Sequence, residues 1–230
     1  MELQPPDFLL AERTHVAAAA QRLAAAGLVP GTAGNVSLRA GDHVALTPTG
    51  AVLGTLRAED VTVVDLDGRV VLEGGLAPTS EIDLHLGIHV RPDPPGAVVH
   101  THAPVATALG CVLDELPCVH YEMVALGGPV RVAPYFTFGT PELAAAVLAA
   151  LDGRTAAILA NHGTVAVGHD LDAAVAATEL LERSAELYWR AVQVGSPRVL
   201  DAADRQAVID AVVARGYGTT RSATNDGEQS

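Results

Sequence analysis

The chain has 230 residues, a length that one large domain or two small ones would fill, and no Pro/Gly/Ser-rich linker divides it, so one domain is expected. With 27 acidic against 14 basic residues the formal net charge is −13, which argues against nucleic acid or an anionic membrane surface as a partner. Every basic residue is arginine, and a chain without lysine can form no Schiff base with a carbonyl substrate or with pyridoxal phosphate.

Hydrophobic residues make up 49% of the chain but aromatics only 3%, so the core is expected to consist of small side chains, as suits helices packed closely on a sheet. The longest uncharged stretch, residues 94–113, is broken by proline, glycine and two histidines and is not read as a membrane span. Glu2, Asp7 and Glu12 are unlike the basic start of a secretory signal. Cys111 and Cys118 fit neither a C-x-x-C motif nor a disulfide framework. Reduced thiols and a cytoplasmic protein are expected.

In chain order, Leu9, Leu10, Val16 and Leu23 give residues 8–26 a helical period closed by Gly27. Two β-like runs, 36–39 and 43–47, meet across Ala40-Gly41-Asp42, and a second pair, 61–65 and 70–73, meets across Asp67-Gly68. Hairpins pair strands antiparallel, which argues against a purely parallel doubly wound sheet. Ser80 is placed to cap a helix running to about Arg91, with Glu81 at its first position, Asp83 in its first turn and Pro92 beyond its end.

Residues 97–102 read as a strand, and Pro104 starts a helix where proline is tolerated. Thr140-Pro141-Glu142 repeats that signature before residues 143–151. A strand at 155–160 runs into Asn161-His162-Gly163 and a further run at 164–167, after which Asp170 or Asp172 caps a long helix to about Val194. From residue 215 the sequence is polar and is expected to form a mobile tail.

The chemistry centres on His100 and His102 in the segment VVHTHAP. On a strand, residues two apart share a face with Cα atoms roughly 6.6 Å apart, so two such rings can share a metal ion. His162, at a glycine-flanked strand end, is a candidate third ligand, and three neutral imidazoles with an open position describe a catalytic zinc site. Glu81 is a candidate for the fourth position. A rival pair is His85 and His89, four apart on the expected helix but without the glutamate of H-E-x-x-H. His15, His43 and His169 have no partner in sequence, and spacing leaves both sets of ligands open.

Seven segments then occur in one order: GTAGNVS, TPTG, PTSE, VVHTHAP, HYEMVALGG, APYFTFGT and NHG. Together they resemble the class II aldolase/adducin family over residues 8–195, most of all its L-fuculose-1-phosphate aldolases. The resemblance implies an α/β fold: a single-domain three-layer α/β/α arrangement around a central, mostly antiparallel sheet, spanning 1–214, with 215–230 as tail. It implies a homotetramer with active sites at subunit interfaces, and one Zn²⁺ per subunit on His100, His102 and His162. Glu81 would be a ligand at rest and the proton-transfer group in turnover.

By the same resemblance Asn35, Thr49, Gly50, Thr79 and Ser80 match phosphate-binding positions, and Tyr121 matches a proton donor reaching the neighbouring subunit's site. Tyr217 is a candidate for a C-terminal tyrosine that also contributes. The implied reaction is reversible cleavage of a sugar (ketose) 1-phosphate, such as L-fuculose 1-phosphate, to dihydroxyacetone phosphate and an aldehyde. Methylthioribulose-1-phosphate dehydration is an alternative, and an epimerase another, though related epimerases carry Asp where Glu81 stands and lack HYEMVALGG. An adducin-like binding module would be expected to lack the ligands present here. Three imidazoles also accept cobalt, manganese or iron.

Overall fold

The computed structural model describes residues 3–215. Tyr217 and the expected tail beyond residue 215 lie outside the described residues. Eight strands form one sheet: β1 (Asn35–Ala40), β2 (His43–Leu46), β3 (Thr62–Asp65), β4 (Ala97–Thr101), β5 (Glu115–Leu116), β6 (Val130–Ala133), β7 (Ala156–Leu159) and β8 (Gly163–Gly168). Their spatial order is β3-β2-β1-β4-β8-β7-β6-β5, and every neighbouring pair is antiparallel except β6 with β7. The helices are α1 (Leu10–Ala25), α2 (Ile82–His89), α3 (Pro104–Gly110), α4 (Pro141–Ala150), α5 (Leu171–Val194) and α6 (Ala202–Arg215).

The alternation of side chains along β4 sorts the helices into two layers. Val99 packs with Val16, Leu23, Ala106 and Leu181, the inward faces of α1, α3 and α5. Val98, its neighbour in sequence, packs with Leu84, Ile88, Leu143 and Val147 of α2 and α4. A two-residue period thus commits the strand to both faces, and the result is the three-layer α/β/α arrangement. Each fully buried Val or Leu contributes about 1.5–3 kcal/mol relative to exposure. The fully buried large side chains are nearly all Leu, Ile and Met, as the low aromatic content implies.

Local signals account for the helix starts. Asp170 caps α5 by accepting from Ala173 N at 2.8 Å, and Thr140 caps α4 by accepting from Leu143 N at 3.4 Å with Pro141 at the first position. At α3, Glu182 of α5 reaches across and accepts from Val105 N and Ala106 N, both at 2.8 Å, which ties two helices of one layer together. No described helix is long and apolar enough to cross a membrane.

Three expectations change. Helix α2 begins at Ile82, so Glu81 rather than Ser80 is its N-cap residue, with φ −102° and ψ 25°. The strand with the two histidines ends at Thr101, leaving His102 just beyond it. The second hairpin returns only loosely: Val71 N donates to Val63 O at 3.0 Å, but residues 70–73 pair with β3 through a single isolated bridge, Val64 to Val70, while Leu72 bridges Gln4 instead. Strands β5 and β6, helix α6 and a 3-10 helix at Tyr121–Leu126 were not expected from the sequence.

Candidate metal centre

Register brings the site together. In the β1–β4 ladder Asn35 lies opposite His100 and Ser37 opposite Val98, so all four side chains share the face that α2 covers. Helix α2 enters over this face with Glu81 at its start. His100 is fully buried on β4, His102 follows it half-buried, and His162 sits in the turn between β7 and β8.

The ligand atoms of the three histidines lie within 4.8 Å of one another, with His100 Nε2 and His102 Nε2 3.2 Å apart. Asn161 takes φ 55°, a left-handed conformation that asparagine tolerates better than most residues, and so turns the chain tightly enough to present His162. Gly163 follows for a different reason. A Cβ there would lie 2.3 Å from Thr101 O, 3.0 Å from His102 Cδ2 and 3.2 Å from His100 Cε1. Gly34 is likewise required: its φ is 82° and a Cβ would meet Val29 Cγ1 at 2.6 Å and His100 O at 2.8 Å.

His100 Nδ1 is 2.9 Å from Thr164 O. A carbonyl only accepts, so Nδ1 carries the proton and Nε2 presents its lone pair to the other rings. Glu81 faces the same point, with Oε2 3.2 Å from His100 Nε2 and Oε1 3.4 Å from His162 Nε2. Oε2 also accepts from Asn35 Nδ2 at 2.8 Å, whereas Oε1 is buried with no hydrogen-bond partner among the described residues.

The His100 pKa is lowered to about 4 in all: burial is the main cause, Glu81 opposes it, and His162 and His102 add to the fall. His102 is lowered for the same reasons, burial first. At neutral pH these two rings therefore stay neutral, the form that ligates a metal. Burial acts to raise the Glu81 carboxyl, but the histidines and the Asn35 hydrogen bond outweigh it and hold the pKa below the usual value. A carboxylate and converging imidazole lone pairs repel or strand one another unless a cation lies between them. The donor set fits a divalent ion: three imidazoles and a carboxylate.

The rival pair is engaged by a hydroxyl. His85 and His89 are both fully buried on α2, and their Nδ1 and Nε2 atoms lie 2.7 and 2.8 Å from one hydroxyl, Ser37 Oγ. His85 Nε2 is 2.5 Å from Asn35 Oδ1. Among the described residues, the one group of three or more His, Cys, Asp or Glu side chains with ligand spacing is His100, His102 and His162.

The segments TPTG and PTSE meet beside Glu81. Thr49 N donates to Ala77 O at 3.1 Å, Thr79 N to Thr47 O at 3.2 Å, and Glu81 N to Thr79 Oγ1 at 3.3 Å. Thr79 is buried, while Thr49, Gly50 and Ser80 are exposed.

Residues 14–189 match the family model described as Class II Aldolase and Adducin N-terminal domain. The chain belongs to the class II aldolase and adducin family. It is 40% identical over 206 residues to a 5-methylthioribulose-1-phosphate/5-deoxyribulose-1-phosphate aldolase of Rhodospirillum rubrum, covering 89% of this chain and 92% of that protein. It is 38% identical over 196 residues to a 5-deoxy-D-ribulose 1-phosphate aldolase of Bacillus thuringiensis, covering 84% and 91%. A solved L-fuculose 1-phosphate aldolase superposes with a TM-score of 0.84 at 33% identity, covering 88% of this chain and 96% of that one. The expected fold of this class II aldolase is thereby met, and relatives named as aldolases support a metal-dependent lyase.

Two features of this class II aldolase stand apart from the histidines. Tyr121 opens the 3-10 helix, is 40% exposed, and donates from its hydroxyl to Glu122 Oε1 at 3.4 Å. It lines a cleft of about 540 Å³ with Leu180 and Arg183 of α5 and Ile209 of α6, away from the three histidines. The larger cleft of about 740 Å³, walled by Arg91, Asp93 and Arg154, is also separate from them. The contact that sequence reasoning missed is Asn35 with Glu81, since their 46-residue separation leaves no local pattern to find.

Proposed function

We propose that the chain reversibly cleaves a ketose 1-phosphate to dihydroxyacetone phosphate and an aldehyde, with one zinc ion per subunit on His100, His102 and His162. The observation that carries this reading is the convergence of the three imidazoles with the Glu81 carboxylate. A bound divalent ion supplies a Lewis acid for the negative charge that develops on the substrate carbonyl oxygen, a task no lysine is present to perform. In the condensation direction Glu81 takes a proton from C3 of dihydroxyacetone phosphate, and the electron pair of that C–H bond moves into an enediolate. C3 then attacks the aldehyde carbon, and Tyr121 of an adjacent subunit gives its proton to the aldehyde oxygen. General acid–base steps of this kind contribute about 10²–10⁴-fold.

Thr49, Gly50, Thr79 and Ser80 are the phosphate positions in this reading, supported by the pairing of their two segments beside Glu81. Hydroxyls and backbone N–H groups suit a phosphate dianion despite the acidic exterior. Asn35 keeps a second amide hydrogen for substrate beyond the one given to Glu81. The enzyme is read as a cytoplasmic homotetramer with interfacial sites, which gives the exposed Tyr121 its place.

The substrate reading moves from fuculose toward 5-deoxypentulose 1-phosphates. The relatives named for such substrates match over 89% and 84% of this chain, whereas L-fuculose phosphate aldolases of Methanococcus maripaludis and Escherichia coli reach the same 40% and 38% identity over only 70% and 74% of it, and aldolase names favour cleavage over dehydration. A coupled assay of metal-replete protein on 5-deoxyribulose, 5-methylthioribulose and L-fuculose 1-phosphates tests it. Dihydroxyacetone phosphate should appear, fastest from the first two. Loss of water with an intact carbon skeleton would assign a dehydratase instead, and no product from any of them would remove the aldolase reading.

A further inference from the structure

Four buried polar side chains lie next to the cage, Asn35, Ser37, His85 and His89, each at most 5% exposed, and of these the chemistry above uses only Asn35. Two periodicities bring them together. Asn35 and Ser37, two apart on β1, share a face of the sheet, and His85 and His89, four apart on α2, share a face of the helix laid over it. Buried polar groups in such a place need partners, and these partner one another.

The hydrogen bonds have a fixed direction. The Glu81 carboxylate only accepts, so Asn35 turns its NH₂ toward Oε2 and its carbonyl toward His85. His85 must therefore carry its proton on Nε2. Its Nδ1 is left as an acceptor, and Ser37 Oγ donates to it at 2.7 Å. With its one hydrogen given to His85, the Ser37 oxygen can only accept from His89 Nε2 at 2.8 Å, so a neutral His89 has no proton on Nδ1 to give Pro95 O, 3.3 Å away.

We propose that this chain, His89 to Ser37 to His85 to Asn35, is a positioning device for Glu81: it pins Oε2 and leaves the unpartnered Oε1 aimed into the cage as the oxygen that moves the substrate proton. The inference rests on the aldolase reading for the identity of that proton. The orientation itself rests on hydrogen bonds within this chain. A glutamate at a helix N-cap has three side-chain torsions free to turn, and φ −102° at Glu81 shows that the backbone here has already left the helix. With no side-chain cap bond to hold it, the carboxylate is held by Asn35. Asn35 is in turn held by His85, and Ser37 keeps that ring from rotating.

The test combines kinetics with a measurement that needs no turnover. Ser37→Ala removes the hydroxyl between the two rings. His85→Leu removes the donor to Asn35, and His85→Gln keeps an N–H for it. Ser37→Ala and His85→Leu should lower kcat about 10–100-fold. KM should change by less than about twofold, bound metal should remain at wild-type content, and His85→Gln should recover part of the loss. In metal-free wild-type protein, ¹⁵N spectra should show the His85 proton on Nε2. Unchanged kcat in both Ser37→Ala and His85→Leu, or a proton on His85 Nδ1 in place of Nε2, would overturn the positioning role. A wild-type enzyme inactive on every ketose 1-phosphate would instead remove the aldolase reading, and the ring spectra would still decide the hydrogen-bonded chain. If one variant fails to fold, the other and the wild-type spectra carry the decision.

Discussion

Gly163 sets how closely β8 can pass the histidines, because a methyl group there would collide with the Thr101 carbonyl at 2.3 Å. Relief requires backbone movement in the pairing of Thr101 with Thr164, on which the orientation of His100 depends. Gly163→Ala is therefore expected to weaken metal binding by at least about tenfold, read by competition with a chelating dye. Wild-type affinity in that variant would show that the cage tolerates the shift. His102→Ala removes a ligand outright and should cost more than about 100-fold in affinity, with activity lost in step. Tightly held zinc in His102→Ala would reassign the ligands. These residues were legible in the sequence because H-x-H on a strand and N-H-G at a turn each carry a local geometric reason. Asn35 was legible only as a phosphate position, since its partners come from a helix far along the chain.

Helix α2 carries two consequences of burying histidines. The His89 pKa is lowered to about 4 in all, by burial first and also by Arg39 and Arg91, with the Pro95 carbonyl opposing them. His85 is lowered as well, by burial first and then by His89 and His100. A histidine whose folded pKa is depressed takes its proton more readily when unfolded. Its contribution to stability is thus complete above pH 6.5 and is lost as the pH falls toward 4. Metal-free protein should lose about 2 kcal/mol from His89 alone between pH 7 and pH 5, read as a lower urea midpoint. An unchanged midpoint would contradict the buried neutral state. At α3, Glu182→Ala leaves two helix N–H groups without their acceptor and should cost about 1 kcal/mol in the same assay.

Element starts were legible where caps and prolines mark them, as at Thr140-Pro141 and Asp170. Helix α6 was not, because it buries no residue and so has no core-facing stripe to read. Strand β5 is two residues long, too short for alternation to show, and β6 owes its place to the parallel pairing with β7.

At the scale of the whole molecule, one sheet holds ligands from two antiparallel neighbours, and the helix laid over that face brings the carboxylate. The three-layer arrangement was legible from the hairpins together with the family resemblance. Its strand order was not, since the order depends on long-range pairings such as β4 with β8. A site assembled from elements so distant in the chain stabilises the folded state when metal binds. At a free metal concentration of 1,000 times Kd the gain is about 4 kcal/mol, so chelation should lower the melting temperature and added zinc restore it.

The most direct measurement is anomalous X-ray scattering at the zinc edge from crystals of the metal-replete protein. One peak should lie about 2.0–2.1 Å from the Nε2 atoms of His100, His102 and His162. A peak elsewhere, or none while the three rings keep this arrangement, would contradict the metal centre and the chemistry built on it.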